Sequence, residues 1–215
     1  LTGGNRGIGS AIKDIFIKNG DDVISPSRNE IDLNSIEFVE NDCKSINKEI
    51  DVIINNAGVN YISSIDDISN TNVGEMINVN VLSPLYLCKN LIDGMKRKNW
   101  GRIVNISSIF GTLSKPSRVV YSTTKAAIQG MTRGLALDLA KYNILVNSVS
   151  PGYVITDMTY KNNSVKDIRK ITANIPLQRL AQKSEIAELV YFLCSDKNTY
   201  ITGQNIIIDG GFSIW

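Results

Sequence analysis

Two apolar patterns alternate along the chain. Short, mostly apolar runs stand at residues 23–27, 51–55, 102–106, 145–150 and 205–209, and each reads as a strand. Within them, Val52-Ile53-Ile54 and Ile206-Ile207-Ile208 are continuous rather than alternating, which suits parallel strands covered on both faces. Between the runs the spacing changes to that of a helix. Ile8, Ala11, Ile12, Ile15 and Phe16 share one face of a first helix that Gly20 ends. Residues 34–48, 71–98, 117–142 and 184–195 predict further helices, the last with Ile186, Leu189, Val190, Leu193 and Cys194 at helical intervals. Residues 31–33 predict at most a very short strand. This order predicts an α/β fold, a doubly wound parallel sheet in a single domain spanning residues 1–215. Leu1 reads as the end of a first strand, most of which lies outside the chain. The stretch 156–174 is polar and weakly periodic. It follows a strand end, where open α/β sheets bind ligands, so it predicts a substrate lid; a solvated helix-and-loop insertion is the plainer reading.

Composition changes the picture at one point above all: there is no histidine among the 215 residues. Ser-His-Asp and Cys-His catalysis, His-ligated zinc and HExxH sites are excluded. No metal site is expected, and any proton transfer near neutral pH falls to another side chain. With 23 Lys+Arg against 21 Asp+Glu, the net charge of +2 gives no reason to expect nucleic acid or an anionic membrane as partner. Cys43, Cys88 and Cys194 are far apart and form no CxxC pair, which reads as reduced, buried thiols in a cytoplasmic protein. No apolar run is long enough for a membrane span. A signal peptide cannot be judged from a chain that opens at Leu1.

Three motifs carry chemistry. Thr2-Gly3-Gly4-Asn5-Arg6-Gly7-Ile8-Gly9 follows a strand end and opens a helix, so its glycines let the backbone approach a pyrophosphate lying on the free N–H groups of the helix. Asn55-Asn56-Ala57-Gly58 follows an apolar strand and can lie flat beside a nucleotide; alone it signals only a turn. Ser108 is followed thirteen residues later by Tyr121 and four after that by Lys125. The i,i+4 spacing puts phenol and ammonium on one helix face. A fixed cation lowers a phenol's pKa from its usual value of about 10, so the pair is one route to acid–base chemistry without histidine. Pro84 lies four residues after Asn80 and has no N–H to return to the Asn80 carbonyl, which predicts a kink with that carbonyl open to a water.

Together these residues resemble the short-chain dehydrogenase/reductase family in its single-domain branch, whose fold is Rossmann-type. The resemblance runs over essentially the whole chain. It extends to Pro151-Gly152 with Val154 and Thr156, to Ile175-Pro176-Leu177, and to the closing run from Ile201-Thr202-Gly203-Gln204 to Asp209-Gly210-Gly211. It implies a catalytic set of Asn80, Ser108, Tyr121 and Lys125. Tyr121 exchanges a proton with the substrate oxygen, Ser108 holds that oxygen, Lys125 binds the nicotinamide ribose and lowers the Tyr121 pKa, and Asn80 holds a water leading to solvent. It implies a dinucleotide bound by Gly3, Asn5, Arg6, Gly7, Ile8, Gly9, Ser27, Arg28, Asp32, Leu33, Asn56, Ala57, Gly58, Tyr121, Lys125, Pro151, Gly152, Val154 and Thr156. At the end of the second strand, where NAD enzymes carry an acid, this chain has Ser27 and then Arg28; with Arg6 in the glycine loop, that favours NADP, while Glu30 keeps NAD open.

One departure is plain. Only Arg28-Asn29-Glu30 separates Ser27 from Ile31, too few residues for a parallel crossover, so a helix usual in the family is absent here. The expected partner is a small-molecule carbonyl or alcohol, carrier-linked if the chain follows the 3-oxoacyl-acyl-carrier-protein reductases it resembles. The alternatives are a sugar or polyol oxidoreductase in polysaccharide modification, with NAD open there too, and a catalytically silent cofactor-binding regulator. An enoyl reductase fits less well, because that branch spaces its Tyr and Lys more widely. Gly130 and Gly134 with Ala126 and Ala127, flanked by Met131, Leu135 and Leu139, predict a helix face for a homodimer or homotetramer.

Overall fold

The structure, a computed structural model, describes residues 1–46 and 48–215. Its helices are α1 (Gly7–Lys18), α2 (Ile36–Ser45), α3 (Asn70–Ile77), α4 (Ser83–Lys98), α5 (Val119–Leu139), α6 (Asp157–Asn162), α7 (Val165–Ala173) and α8 (Lys183–Cys194). Four parallel strands, β1 (Val52–Asn55), β2 (Gly101–Ile106), β3 (Ile144–Pro151) and β4 (Asn205–Ile208), pair in chain order. Successive strand residues face opposite sides, and that alternation sorts the core into two layers. Ile54, Val104, Ile106 and Val149 pack against Ile12 and Phe16 of α1 and Ile186, Val190 and Leu193 of α8. Ile53, Ile103, Ile144 and Val146 pack on the other face against Cys88, Ile92 and Met95 of α4 and Ala136 and Leu139 of α5. Each fully buried Ile or Leu contributes about 2–3 kcal/mol of transfer free energy, so both layers are needed to hold a sheet of four strands.

The helices on the two faces also set the hand of the connections. The strands advance in one direction, and α4 and α5 lie on one face while α8 lies on the other. The crossover through α8 therefore has the opposite hand to the two before it, an exception to the usual right-handed rule. Residues 152–182 of that connection run over the C-terminal edge of the sheet before α8 begins.

Several expectations need correction. Residues 23–27 form no strand; the Leu1 amino group reaches the Ile24 carbonyl at 3.0 Å, and Thr2 N–H reaches Ile54 O at 3.0 Å. Residues 31–33 form no strand either. The short link is a turn, with Glu30 N–H and Ile31 N–H both donating to the Ser27 carbonyl, so the crossover helix is indeed missing. A cavity of about 330 Å³ opens at that edge, between Phe16, Ile24, Ile31, Ile46, Ile54 and Leu87. The helix expected at 71–98 is divided by a π-helical turn, Asn78–Leu82, in which Ser83 N–H reaches back to Asn78 O. Pro84 explains it: the α-helical donor to the Asn80 carbonyl is absent, and a wider turn absorbs the defect.

The strands are also less apolar than the runs suggest. Asn105, Asn147, Ser148 and Ser150 are all buried. Asn55 donates to Asn105 at 2.8 Å, and Asn105 to Thr132 of α5 at 2.9 Å, a polar row leading toward the sheet's C-terminal edge. Leu139 packs in the core rather than on a free face, whereas Leu137 is 82% exposed. No described helix is long and apolar enough to cross a membrane. All three cysteines are buried, and burial pushes the Cys88 thiol up to about 12.

Candidate active site

The glycine loop folds back on α1 because small residues permit it. Gly3 and Gly7 have φ of 66° and 59°, the left-handed region open to glycine. A Cβ on Gly9 would lie 2.1 Å from the Gly3 carbonyl oxygen, so only glycine lets the helix touch its own loop. Arg6 is the N-cap of α1 and provides no side-chain cap, which leaves first-turn N–H groups without a side-chain acceptor. Asn5 and Arg6 are exposed, and Ile8 is half-buried. The end of β1 is tied to the loop. The Thr2 hydroxyl accepts from Asn56 N–H and Ala57 N–H, each at 3.0 Å, and the Asn56 amide donates to the Thr2 and Gly3 carbonyls.

From the far side of the sheet edge, Pro151 ends β3 and Gly152 packs against Asp209, where a Cβ would lie at 2.7 Å. Val154 is buried and bridges Ala181. Thr156 caps α6, and its methyl group lies 3.8 Å from where a Gly7 Cβ would be. Thus Gly3–Gly9, Asn56–Gly58 and Thr156 surround the α1 N-terminus. The stretch expected as a lid is built as two short helices, α6 and α7, with no fully buried residue in either.

A second cluster adjoins the first through Gly58. A Cβ there would lie 3.3 Å from Asn80 Oδ1 and 3.5 Å from Lys125 Nζ. The Asn80 side chain clamps Val59, accepting from its N–H at 2.8 Å and donating to its carbonyl at 2.9 Å, and also donates to the Thr124 hydroxyl at 3.1 Å. Its side-chain groups are thereby committed to the protein, so a water at this residue falls to the main-chain carbonyl. Lys125 is 4% exposed; its Nζ donates to the Ile106 carbonyl at 2.8 Å and lies 5.7 Å from the centre of the Tyr121 ring. Ser107 of the same strand end donates to the Lys125 carbonyl at 2.9 Å, fixing the first turns of α5 against β2. Ser108 is buried and caps the short 3₁₀ turn Ile109–Gly111.

Electrostatics in this cluster differ from the expectation. Burial holds the Lys125 ammonium down to about 8. Burial raises the Tyr121 phenol above its usual value; Ser108 and the Arg118 guanidinium act the other way, and Lys125 is not among the groups that do. A neutral phenol beside a serine hydroxyl suits giving a proton to a carbonyl oxygen.

The residues expected around the adenosine are placed less uniformly. Arg28 is 3.7 Å from Glu75, whose carboxylate also accepts from Tyr61 at 2.7 Å. Glu30 turns its carboxylate onto Ser27 N–H at 2.7 Å, which lowers its pKa. Asp32 accepts from Asn34 N–H at 3.0 Å, and the Leu33 carbonyl is held by the Ser83 hydroxyl, so this loop is fastened to α4. Sequence reading missed Arg118, Lys115 and Tyr153. The signal for Arg118 was present, since it lies three residues before Tyr121 and so on the same face of the coming helix.

A family model described as enoyl-(acyl carrier protein) reductase matches residues 30–213. The 3-oxoacyl-acyl-carrier-protein reductase FabG of Buchnera aphidicola subsp. Acyrthosiphon pisum (strain APS) is 35% identical, covering 98% of this chain and 95% of its own. A 4-hydroxyisoleucine dehydrogenase complexed with NADH superposes with a TM-score of 0.95 at 29% identity, covering 100% of this chain and 98% of that one. ElxO with NADP bound gives 0.89 at 29% identity, covering 100% and 97%. With the glycine loop, the Asn-Asn-Ala-Gly turn and the Ser–Tyr–Lys cluster meeting at one sheet edge, the chain belongs to the short-chain dehydrogenase/reductase family of NAD(P)-dependent oxidoreductases.

Proposed function

We propose that the chain reduces a ketone to a secondary alcohol with NADPH. The observation that carries this reading is the cluster of Tyr121, the buried Ser108 and the buried Lys125, whose Nζ lies 5.7 Å from the centre of the Tyr121 ring. The fit of a dinucleotide rests on the α1 N-terminus, uncapped by a side chain, and on the glycine loop that folds tightly against it because residue 9 lacks a Cβ. Bound there, the cofactor supplies the hydride that reaches the carbonyl carbon. Tyr121 gives its proton to the carbonyl oxygen, so that ketone, NADPH and one proton become alcohol and NADP⁺. Ser108 donates to the same oxygen and stabilises the charge that develops there. Lys125 holds the ribose hydroxyls, and the Asn80 carbonyl holds the water that returns a proton from solvent. Ser27, Arg28 and Arg6 favour a 2′-phosphate. The four-residue Tyr–Lys spacing supports ketone over enoyl reduction, and the intact Asn80, Ser108, Tyr121 and Lys125 weigh against a silent regulator.

The test is NADPH oxidation against 3-oxoacyl thioesters, simple ketones and keto sugars. Turnover is expected with at least one ketone class, at a lower KM for NADPH than for NADH. Failure with every class defeats the reading; a lower KM for NADH overturns the cofactor preference and assigns the ribose contact to Glu30.

We also propose a homo-oligomer, through the face of α5 that carries Ala126, Gly130, Gly134 and the exposed Leu137. A Cβ at Gly134 would meet nothing within 4 Å, so a neighbouring helix has room to approach. Sedimentation equilibrium is expected to give two or four times the chain mass of 23.7 kDa, and Leu137→Arg to lower it; a monomer ends the proposal.

A further inference from the structure

Arg118 is a buried cation whose charge the fold does not explain. It is the N-cap of α5 and only 5% exposed, yet no ion pair joins it to an Asp or Glu among the described residues. Its Nη1 makes a long 3.3 Å bond to the adjoining Ser117 carbonyl, and its buried Nε has no acceptor. The backbone that presents it is strained, since Ser117 sits at φ 64° in the left-handed region. Arg102 shows what a structural arginine looks like in the same chain. It is just as buried, and its Nε likewise lacks an acceptor, but its Nη groups take the Gly101, Asn143 and Asn198 carbonyls and its guanidinium lies 4.6 Å from the centre of the Trp100 ring.

Arg118 is also not alone. Lys115 Nζ lies 3.4 Å from the Tyr153 hydroxyl and over the rings of Phe110 and Tyr153, at 5.4 and 5.7 Å. The two cations repel each other, and each is held below its usual pKa chiefly by burial. The acid that acts on Lys115 is Asp167, exposed on α7 and already committed to capping Ser164. The other titratable groups facing Arg118 are Tyr121 and Tyr153. Phe110, Tyr153 and Phe212 form an edge-to-face aromatic wall beside them. An unpaired guanidinium fork, a second cation and an aromatic wall one turn from the proton donor describe half of a binding site.

We propose that Arg118, with Lys115 at the mouth, binds an anionic oxyacid group of the substrate, a carboxylate or phosphate a few carbons from the reacting carbonyl. The chain then acts on a keto acid or keto phosphate and its hydroxy counterpart. The i,i+3 relation of Arg118 and Tyr121 sets the short spacing, and a planar fork takes an oxyacid through two parallel N–H bonds. This substrate class rests on the ketone-reductase reading, whereas the anion site itself does not.

The test compares 4-oxopentanoate with its methyl ester, and hydroxyacetone phosphate with hydroxyacetone. In the wild type, kcat/KM is expected to favour one of the anions over its neutral partner by about tenfold or more; the pair that shows it decides between carboxylate and phosphate. Arg118→Met brings that ratio close to one, and Arg118→Lys restores only part, because an ammonium is a point charge without a fork. The ratio is internal to each variant, so a general loss of activity does not move it. A wild-type ratio near one for both pairs, or an unchanged ratio in Arg118→Met with both substrates slowed alike, overturns the proposal and leaves Arg118 a positioning residue for Tyr121. Binding is read independently of turnover. Succinate or inorganic phosphate, but not succinamide, raises the thermal midpoint of the wild type, and Arg118→Met and Lys115→Met each reduce that rise. If no ketone is reduced and the rise still depends on Arg118, the ketone reading falls and the anion site stands; with no rise from either anion, the site falls.

Discussion

Replacing Tyr121 with Phe lowers kcat for ketone reduction by a factor of about 10²–10⁴, the range a positioned general acid supplies. The ring remains, so its contact with Lys125 and the start of α5 is preserved. Cofactor affinity should stay within about twofold, because in the proposed mechanism the lost hydroxyl serves the proton transfer and lies outside the glycine loop. The direction of the pKa shift adds a second reading. Burial raises the phenol above its ordinary value, so the acid is fully protonated at pH 7 and reduction is level across neutral pH. Reduction then falls as pH rises beyond the ordinary tyrosine range near 10, where the proton is lost. The reverse reaction needs the phenolate and rises over that same window. Stopped-flow NADPH oxidation against pH, for wild type and Tyr121→Phe, checks both. Undiminished turnover in the variant would remove Tyr121 from the chemistry.

The sheet was legible because its strands are apolar on both faces, and β1 to β4 fall within one residue of the expected boundaries. Residues 23–27 have the same texture but make no ladder; a cavity separates them from β1, and only Leu1 and Thr2 bridge the gap, to Ile24 and Ile54. Texture reports burial, and pairing depends on what lies alongside. Asn105 and Asn147 show the opposite case, polar residues that spacing alone would place outside a core. They are buried because Thr132, Asn55 and the Ile201 carbonyl complete their hydrogen bonds. Pro84 marked the irregular turn correctly in place, but the sequence could not say whether the helix would kink or widen. The Ser108, Tyr121, Lys125 and Asn80 set was legible through spacing. The acceptor that holds Lys125 was not, because the Ile106 carbonyl reaches it only through the packing of α5 on β2, whereas Arg118, three residues before Tyr121, was within reach of the same spacing argument.

Lys125→Met abolishes most turnover and at the same time stabilises the ligand-free protein at pH 7. The wild-type ammonium is buried and pairs with no carboxylate among the described residues, and its pKa falls from 10.5 to about 8. Folded and unfolded chains are both protonated below pH 8, so the full cost of burying the charge is carried there. Between about 8 and 10.5 the folded chain loses its proton first, and wild-type stability rises with pH; above that both states are neutral and the cost has gone. The gross penalty is about 3 kcal/mol, and losing the bond to the Ile106 carbonyl returns about 1–2 kcal/mol of it. A net gain of about 1–2 kcal/mol is therefore expected for the methionine variant at pH 7, shrinking steadily as the pH approaches 10.5. Urea unfolding at pH 7, 9 and 10.5 reads the gap, and a variant less stable than wild type at pH 7 would show that the ammonium is held by more than one carbonyl. A side chain that costs the empty protein stability persists when it holds something in the loaded one. NADPH should accordingly raise the thermal midpoint of the wild type by more than that of the variant, reversing their order.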